Sequence, residues 1–184
     1  KRQTWTVTAT PNDGTADGPS SSLEVTIGNT APIDAVVSIS PILGVYNDSM
    51  LTCSATATDA DGDSLSATYE WSTGDTGAEL ILNGSLNPTD SITCTATLSD
   101  GEASVTGTAF ATLENRSPVV SNVSITADGV LWNGTTLACS ADVEDADGEE
   151  PPLTYTWSLP DGSEVEGETY VIDGMNDGDE IICT

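Results

Sequence analysis

The sequence predicts an all-β chain of tandem β-sandwich domains, about seven strands each, with one internal disulfide per full domain. Three observations predict it: a block repeat, a hydrophobic period of two, and cysteines placed symmetrically within the repeat. Asn29-Thr30-Ala31-Pro32 returns 86 positions later as Asn115-Arg116-Ser117-Pro118. In the same register Leu51-Thr52-Cys53-Ser54-Ala55 returns as Leu137-Ala138-Cys139-Ser140-Ala141, and Tyr69-Glu70-Trp71-Ser72 as Tyr155-Thr156-Trp157-Ser158. A fixed period of this kind sets the domain organisation before any local structure is read. A partial copy opens the chain, where Val7-Thr8-Ala9-Thr10 and Asn12-Asp13-Gly14 match Cys94-Thr95-Ala96-Thr97 and Ser99-Asp100-Gly101. Residues 1–28 therefore read as the C-terminal strands of a preceding repeat, 29–114 as a complete repeat, and 115–184 as a repeat lacking its last strands.

Within the complete repeat the apolar period is two rather than 3.6. Over residues 50–58, Leu51, Cys53, Ala55 and Ala57 share one face while Thr52, Ser54, Thr56 and Thr58 share the other. Residues 91–98 repeat the pattern with Ile92, Cys94, Ala96 and Leu98 inward. Thr-rich alternating segments bounded by Gly, Asp, Asn and Pro read as antiparallel strands with one wet face. Strands are expected at 33–40, 50–58, 66–73, 78–82, 91–98 and 103–113, with a short seventh near 44–46. No segment carries an amphipathic helical stripe.

Cys53 and Cys94 sit on the apolar faces of their strands with Trp71 between them in sequence, and the order recurs as Cys139, Trp157, Cys183. Four cysteines permit three pairings. Only Cys53–Cys94 with Cys139–Cys183 treats both repeats alike. Bridges of this kind place the chain in an oxidising compartment, outside the cytoplasm or on a surface. The Cys…Trp…Cys order resembles the immunoglobulin-type sandwich, although the Trp lies closer to the second Cys than in antibody domains. The resemblance implies that Tyr69, Trp71, Tyr155 and Trp157 belong to the core.

Charge narrows the function. Thirty Asp and Glu stand against three Lys and Arg, with no His, for a formal charge of −27. Three cations cannot neutralise a phosphate backbone or an anionic bilayer, so nucleic-acid binding and membrane-surface binding are excluded. Catalysis by imidazole is excluded with the histidines. No apolar run approaches the ~18 residues of a membrane span. Nor do Lys1-Arg2-Gln3-Thr4-Trp5 form a signal peptide, so a longer parent chain is expected.

The loop Asp59-Ala60-Asp61-Gly62-Asp63 returns as Asp145-Ala146-Asp147-Gly148-Glu149. Together with the Tyr-x-Trp strands and the hairpin Thr95 to Gly101, it resembles the PKD-like and cadherin-like repeats of prokaryotic surface proteins. That resemblance covers the whole chain and implies an extended extracellular array used as spacer, stalk or appendage. Alternating carboxylates around a turn glycine are hard-oxygen ligands suited to Ca²⁺, with Asp59, Asp61, Asp63, Asp145, Asp147 and Glu149 as ligands. The same residues also suit an acidic turn whose Asp side chains cap backbone amides. The joints lack the acidic linker cluster of cadherins.

Sequons mark Asn47, Asn83, Asn115, Asn122 and Asn133 for glycosylation, least of all Asn115, where Pro118 follows. Trp5 and Trp132 read as plugs for the sandwich ends, with sugar stacking as the alternative. The expected function is a non-enzymatic structural repeat of an extracellular filament, surface fibre or adhesin stalk. Its partners are neighbouring repeats or copies of itself, or a cell-surface or glycan ligand. The alternative is a carbohydrate- or partner-binding accessory module of a secreted protein. The hairpin at 1–28 matches what 115–184 lacks, so either a longer tandem array or head-to-tail strand addition would complete both. The array takes precedence, because Val7-Thr8 duplicates Cys183-Thr184.

Overall fold

Alternating Thr and small apolar residues fold as the period of two requires, and no residue is helical in the computed structural model, which describes residues 1–184. The chain forms two compact units, 1–114 and 115–184.

Unit 1 contains β1 (Thr4–Ala9), β2 (Ser21–Thr26), β3 (Ile33–Ser40), β4 (Met50–Thr58), β5 (Ser66–Trp71), β6 (Glu79–Ile81), β7 (Ser91–Ser99) and β8 (Ser104–Thr112). Strands β1 and β2 form a hairpin of their own, while the others make two three-stranded antiparallel sheets, β3-β4-β6 and β5-β7-β8. Side chains alternate across each strand. On β7, Ile92, Cys94, Ala96 and Leu98 are buried while the intervening threonines are half-exposed. The expected seventh strand is absent. Val45 is fully buried, but its segment joins the fold through a backbone bond from Glu114 N–H to Val45 O (2.7 Å), without a ladder. Gly44 N–H donates to Glu114 Oε1 (2.8 Å) and Tyr46 N–H to Ser49 Oγ (2.8 Å), so side chains hold that segment where a strand would use a ladder.

Cys53 and Cys94 are bridged, with Cα atoms 6.4 Å apart and a sequence separation of 41. They lie on β4 and β7, the middle strands of the two sheets, so the bond ties the layers at their centre. Trp71 lies directly opposite Cys94 in the β5–β7 register. Its indole is 2% exposed, and a buried N–H needs a partner. Trp71 Nε1–H donates to Gly77 O at 2.9 Å. Ile39, Val45, Leu51, Leu80, Ala111 and Leu113 complete the same core, with Tyr69 packed against it. At Gly107 on β8 the two sheets approach too closely to leave room for a side chain. A Cβ there would lie 2.8 Å from Val37 Cγ2 and 3.2 Å from Ala35 Cβ.

Unit 2 contains β9 (Val119–Ala127), β10 (Thr136–Glu144), β11 (Thr156–Ser158), β12 (Glu164–Glu166), β13 (Thr169–Val171) and β14 (Ile182–Cys183). Its sheets run β13-β10-β9 and β12-β11-β14. The Cys139–Cys183 bridge spans 44 residues with the same 6.4 Å Cα separation. Trp157 lies opposite Cys183, is fully buried and donates to Gly167 O at 2.8 Å. Tyr155 and Tyr170 are packed against this core. The core is smaller because nothing within 115–184 occupies the place that β8 takes in unit 1. Trp5 and Trp132 do not plug the sandwich ends: they are 64% and 63% exposed.

Candidate functional site

The acidic loops were the strongest chemical signal in the sequence, and their geometry follows from local turn formation. In unit 1 the loop after β4 turns on Gly62, whose φ of +75° suits glycine. Asp59 Oδ1 accepts the N–H groups of Asp61 (2.8 Å) and Asp63 (3.3 Å), closing the turn. The three carboxylates Asp59, Asp61 and Asp63 then lie within 4.8 Å of one another. Asp59 Oδ2 is shielded from solvent with no hydrogen-bond partner.

The joint is clamped onto this loop. Asp61 Oδ2 accepts the N–H of Thr30 at 2.6 Å. In unit 2 the repeat-equivalent Asp147 Oδ2 accepts the N–H of Arg116 at 2.5 Å. Both loops thus pin the second residue of their own Asn-x-x-Pro segment. Asp145, Asp147 and Glu149 do not gather as a triad. Instead Arg116 donates through Nε to Asp147 Oδ1 (3.0 Å) and through Nη2 to Ala146 O (2.9 Å). The Asp147 carboxyl is held below the usual carboxylate range, first by the Arg116 backbone N–H and then by the guanidinium, against the opposing effect of burial.

In unit 1 the cation comes from the hairpin. Lys1 Nζ is paired with Asp63 and donates to Asn29 Oδ1 at 2.9 Å, with Glu102 Oε1 3.8 Å away. Arg2 is paired with Glu102. The Lys1 ammonium is raised above its ordinary pKa, chiefly by its bond to Asp63. Asp100, in the β7–β8 turn, caps the N–H groups of Glu102 and Ala103 and accepts Asn29 Nδ2 at 2.8 Å. Its pKa falls to about 2, led by the Ala103 N–H. A carboxylate held that firmly ionised is a poor proton donor at neutral pH, so this cluster is built for ion pairing and turn capping.

Lys1, Arg2 and Arg116 were not singled out in the sequence as members of this site. The available signal was scarcity: in a chain with three cations, each is expected to find a carboxylate. Of the sequon asparagines, Asn47 is buried: it is 6% exposed, and its backbone carbonyl accepts Gly84 N–H at 2.8 Å. Asn133 and Asn122 are exposed but engage their Nδ2 atoms, with Met175 O (3.3 Å) and Asp142 Oδ2 (2.7 Å). Asn83 is exposed and accepts Ser85 N–H through Oδ1.

These features define a tandem, disulfide-bridged, immunoglobulin-like β-sandwich protein with anionic loops tied to its joints. No family model matches the chain. It is similar to the highly immunogenic outer capsid protein of Enterobacteria phage T4, at 30% identity over 189 residues. The similarity takes in 95% of this chain and 49% of that protein, so the chain spans about half the length of this relative.

Proposed function

We propose that this chain is a non-enzymatic structural module displayed on the outside of a virus particle. The observation that carries the reading is its similarity, along almost its whole length, to an outer capsid protein. Two bridged sandwich cores and carboxylates engaged in capping and ion pairing support it. A spacer or stalk on that surface, of the kind the PKD-like and cadherin-like resemblance implies, is the finer form of the proposal. The test is immunogold labelling of purified particles with antibody raised against this chain. Label on the particle exterior is expected. Particles free of label, with the protein recovered elsewhere, would reject the reading.

Calcium belongs to this proposal at one loop. Asp59, Asp61 and Asp63 fit a hard cation, and the unpartnered Asp59 Oδ2 offers it an oxygen. Bound there, Ca²⁺ would supply a stiffer turn and would compete with the Lys1 ammonium. Calorimetric titration of the chain and of Lys1→Gln should then show tighter binding in the variant. No heat from either chain at physiological salt would leave the loop as a capped turn alone. The proposal extends to glycosylation at Asn83, the sequon asparagine whose Nδ2 is engaged with no other group. A sugar- or partner-binding accessory role draws on the exposed Trp5 and Trp132, but within either unit no second exposed tryptophan joins them to form a platform.

A further inference from the structure

The two three-stranded sheets of unit 1 have four edge strands, β3 and β6 on one sheet and β5 and β8 on the other. An open edge invites another chain to add a strand, and folds blunt it with charge or a bulge. Strand β3 carries Asp34 at φ +57° within a register shift, β5 carries Glu70 and β6 carries Glu79. Strand β8, Ser104–Thr112, carries no charged residue. Leu113 N–H donates inward to Asp90 O at 2.9 Å. By the alternation of an antiparallel ladder, the N–H groups of Thr112 and Phe110 then turn toward the open edge.

Beside that edge lies a groove of about 500 Å³, lined by Val37, Ile42, Leu43, Ala109, Phe110 and Leu113, among others. Ile42, Leu43 and Phe110 are 65%, 78% and 66% exposed and stand outside the core of the unit. The repeat shows that the fold does not require them. Ile42 and Leu43 stand where unit 2 has Asp128 and Gly129. Thr93 faces Phe110 on β8 as Thr6 faces Glu24 on β2, so the first copy holds a carboxylate at the equivalent position. Two separate segments of unit 1 thus differ from their repeats in the same sense, apolar for polar, and both line one groove. Its one charged residue, Glu114, is engaged through Oε1 with Gly44 N–H at 2.8 Å.

We propose that the β8 edge and this groove are a docking site for an extended segment of a different protein, with alternating apolar side chains flanked by lysine or arginine. Backbone groups open along a strand edge select an extended guest, and the apolar row beside them selects a side-chain period of two. Charge sets the sign of the flanks. The chain carries −27, and its three Lys and Arg are held by Asp63, Glu102 and Asp147. A second copy would bring the same −27 to the contact, whereas a cationic segment is drawn in and associates faster than a neutral one. At Gly107 an added Cβ would lie 2.8 Å from Val37 Cγ2, so β3 closes that part of β8 and the guest lies along Ala109 to Leu113. Such docking goes beyond a role as a surface module and would hold wherever the chain resides.

A ribosome-displayed library of random linear peptides, selected on the 184-residue chain at physiological salt, tests this. Selected peptides should alternate apolar residues and carry Lys or Arg at their flanks. By fluorescence anisotropy they should bind Phe110→Glu and Leu43→Asp at least about tenfold more weakly than the wild type. Added acid strengthens a merely electrostatic attraction to a basic peptide, so weaker binding isolates the groove. Both side chains are exposed, and unchanged melting curves confirm that the variants are folded. In hydrogen exchange the amides of Phe110 and Thr112 should slow when peptide is bound. A library that yields no binder overturns the proposal. So do peptides that bind the variants as well as the wild type, lack basic residues, or leave those two amides unprotected. Light scattering on the chain alone should show a mass independent of concentration. A rising mass that Phe110→Glu abolishes would give the edge to a second copy and overturn docking of a different protein.

Discussion

Removing the two disulfides separately should have unequal consequences, although the bonds are geometrically alike. In the loop-entropy description a closure of 41 or 44 residues constrains the unfolded chain by about 4 kcal/mol in each case. Unit 1 buries eleven core residues around its bridge, and unit 2 buries five. A domain of ~90 residues unfolds with an entropy near 0.2 kcal/mol/K, so about 4 kcal/mol corresponds to a fall in Tm of roughly 20 °C. Cys53→Ala with Cys94→Ala should therefore leave unit 1 folded but melting about that much lower. Cys139→Ala with Cys183→Ala should leave unit 2 without a cooperative transition at room temperature, because total domain stabilities of ~5–15 kcal/mol scale with the core that is buried. Differential scanning calorimetry under non-reducing conditions resolves the two transitions. A shift below about 5 °C for the first pair, or a surviving sharp transition of unit 2 in the second, would refute the argument.

Three further outcomes are expected. Asp100, with a folded pKa of about 2 against an ordinary 3.8, contributes stability that is complete above the ordinary value and lost as pH falls through about 2. Acid melts between pH 5 and pH 2 should therefore be steeper for the wild type than for Asp100→Asn. Gly107→Val forces a Cβ against Val37 and should cost about 1–3 kcal/mol in urea denaturation of unit 1, with Gly107→Ala milder. Arg116→Gln strips the counter-charge from the buried Asp147 and should lower the melting of unit 2 even in 1 M salt, where an exposed pair is screened. Arg2→Gln, at a side chain 74% exposed, should change little at any ionic strength.

The layers and bridges were legible because repetition supplied what a single domain would not. Cys53 and Cys139 sit in matching blocks, so symmetry chose the pairing, and the Thr-rich alternation set strand limits within about two residues. Val45 misled because one inward side chain looks like a strand in sequence, whereas a ladder needs a neighbour. The burial of Asn47 was not legible either, because a sequon is a local pattern while burial is decided by a loop folding back against Gly84. The ion pairs at the joint were invisible to local reading. Lys1 meets Asp63 and Arg2 meets Glu102 only after the sheets have formed, and no periodicity marks contacts of that separation.

The three Lys and Arg side chains are committed to carboxylates at the loop ends, and they stand against thirty acidic residues. With a formal charge of −27, the chain is a small polyelectrolyte of predominantly one sign. At physiological salt that field reaches only ~8 Å, enough to keep neighbouring bodies from touching but not to push them far apart. A particle coated with such modules would stay colloidally dispersed in brine, move quickly toward an anode, and flocculate once strong acid had discharged its coat.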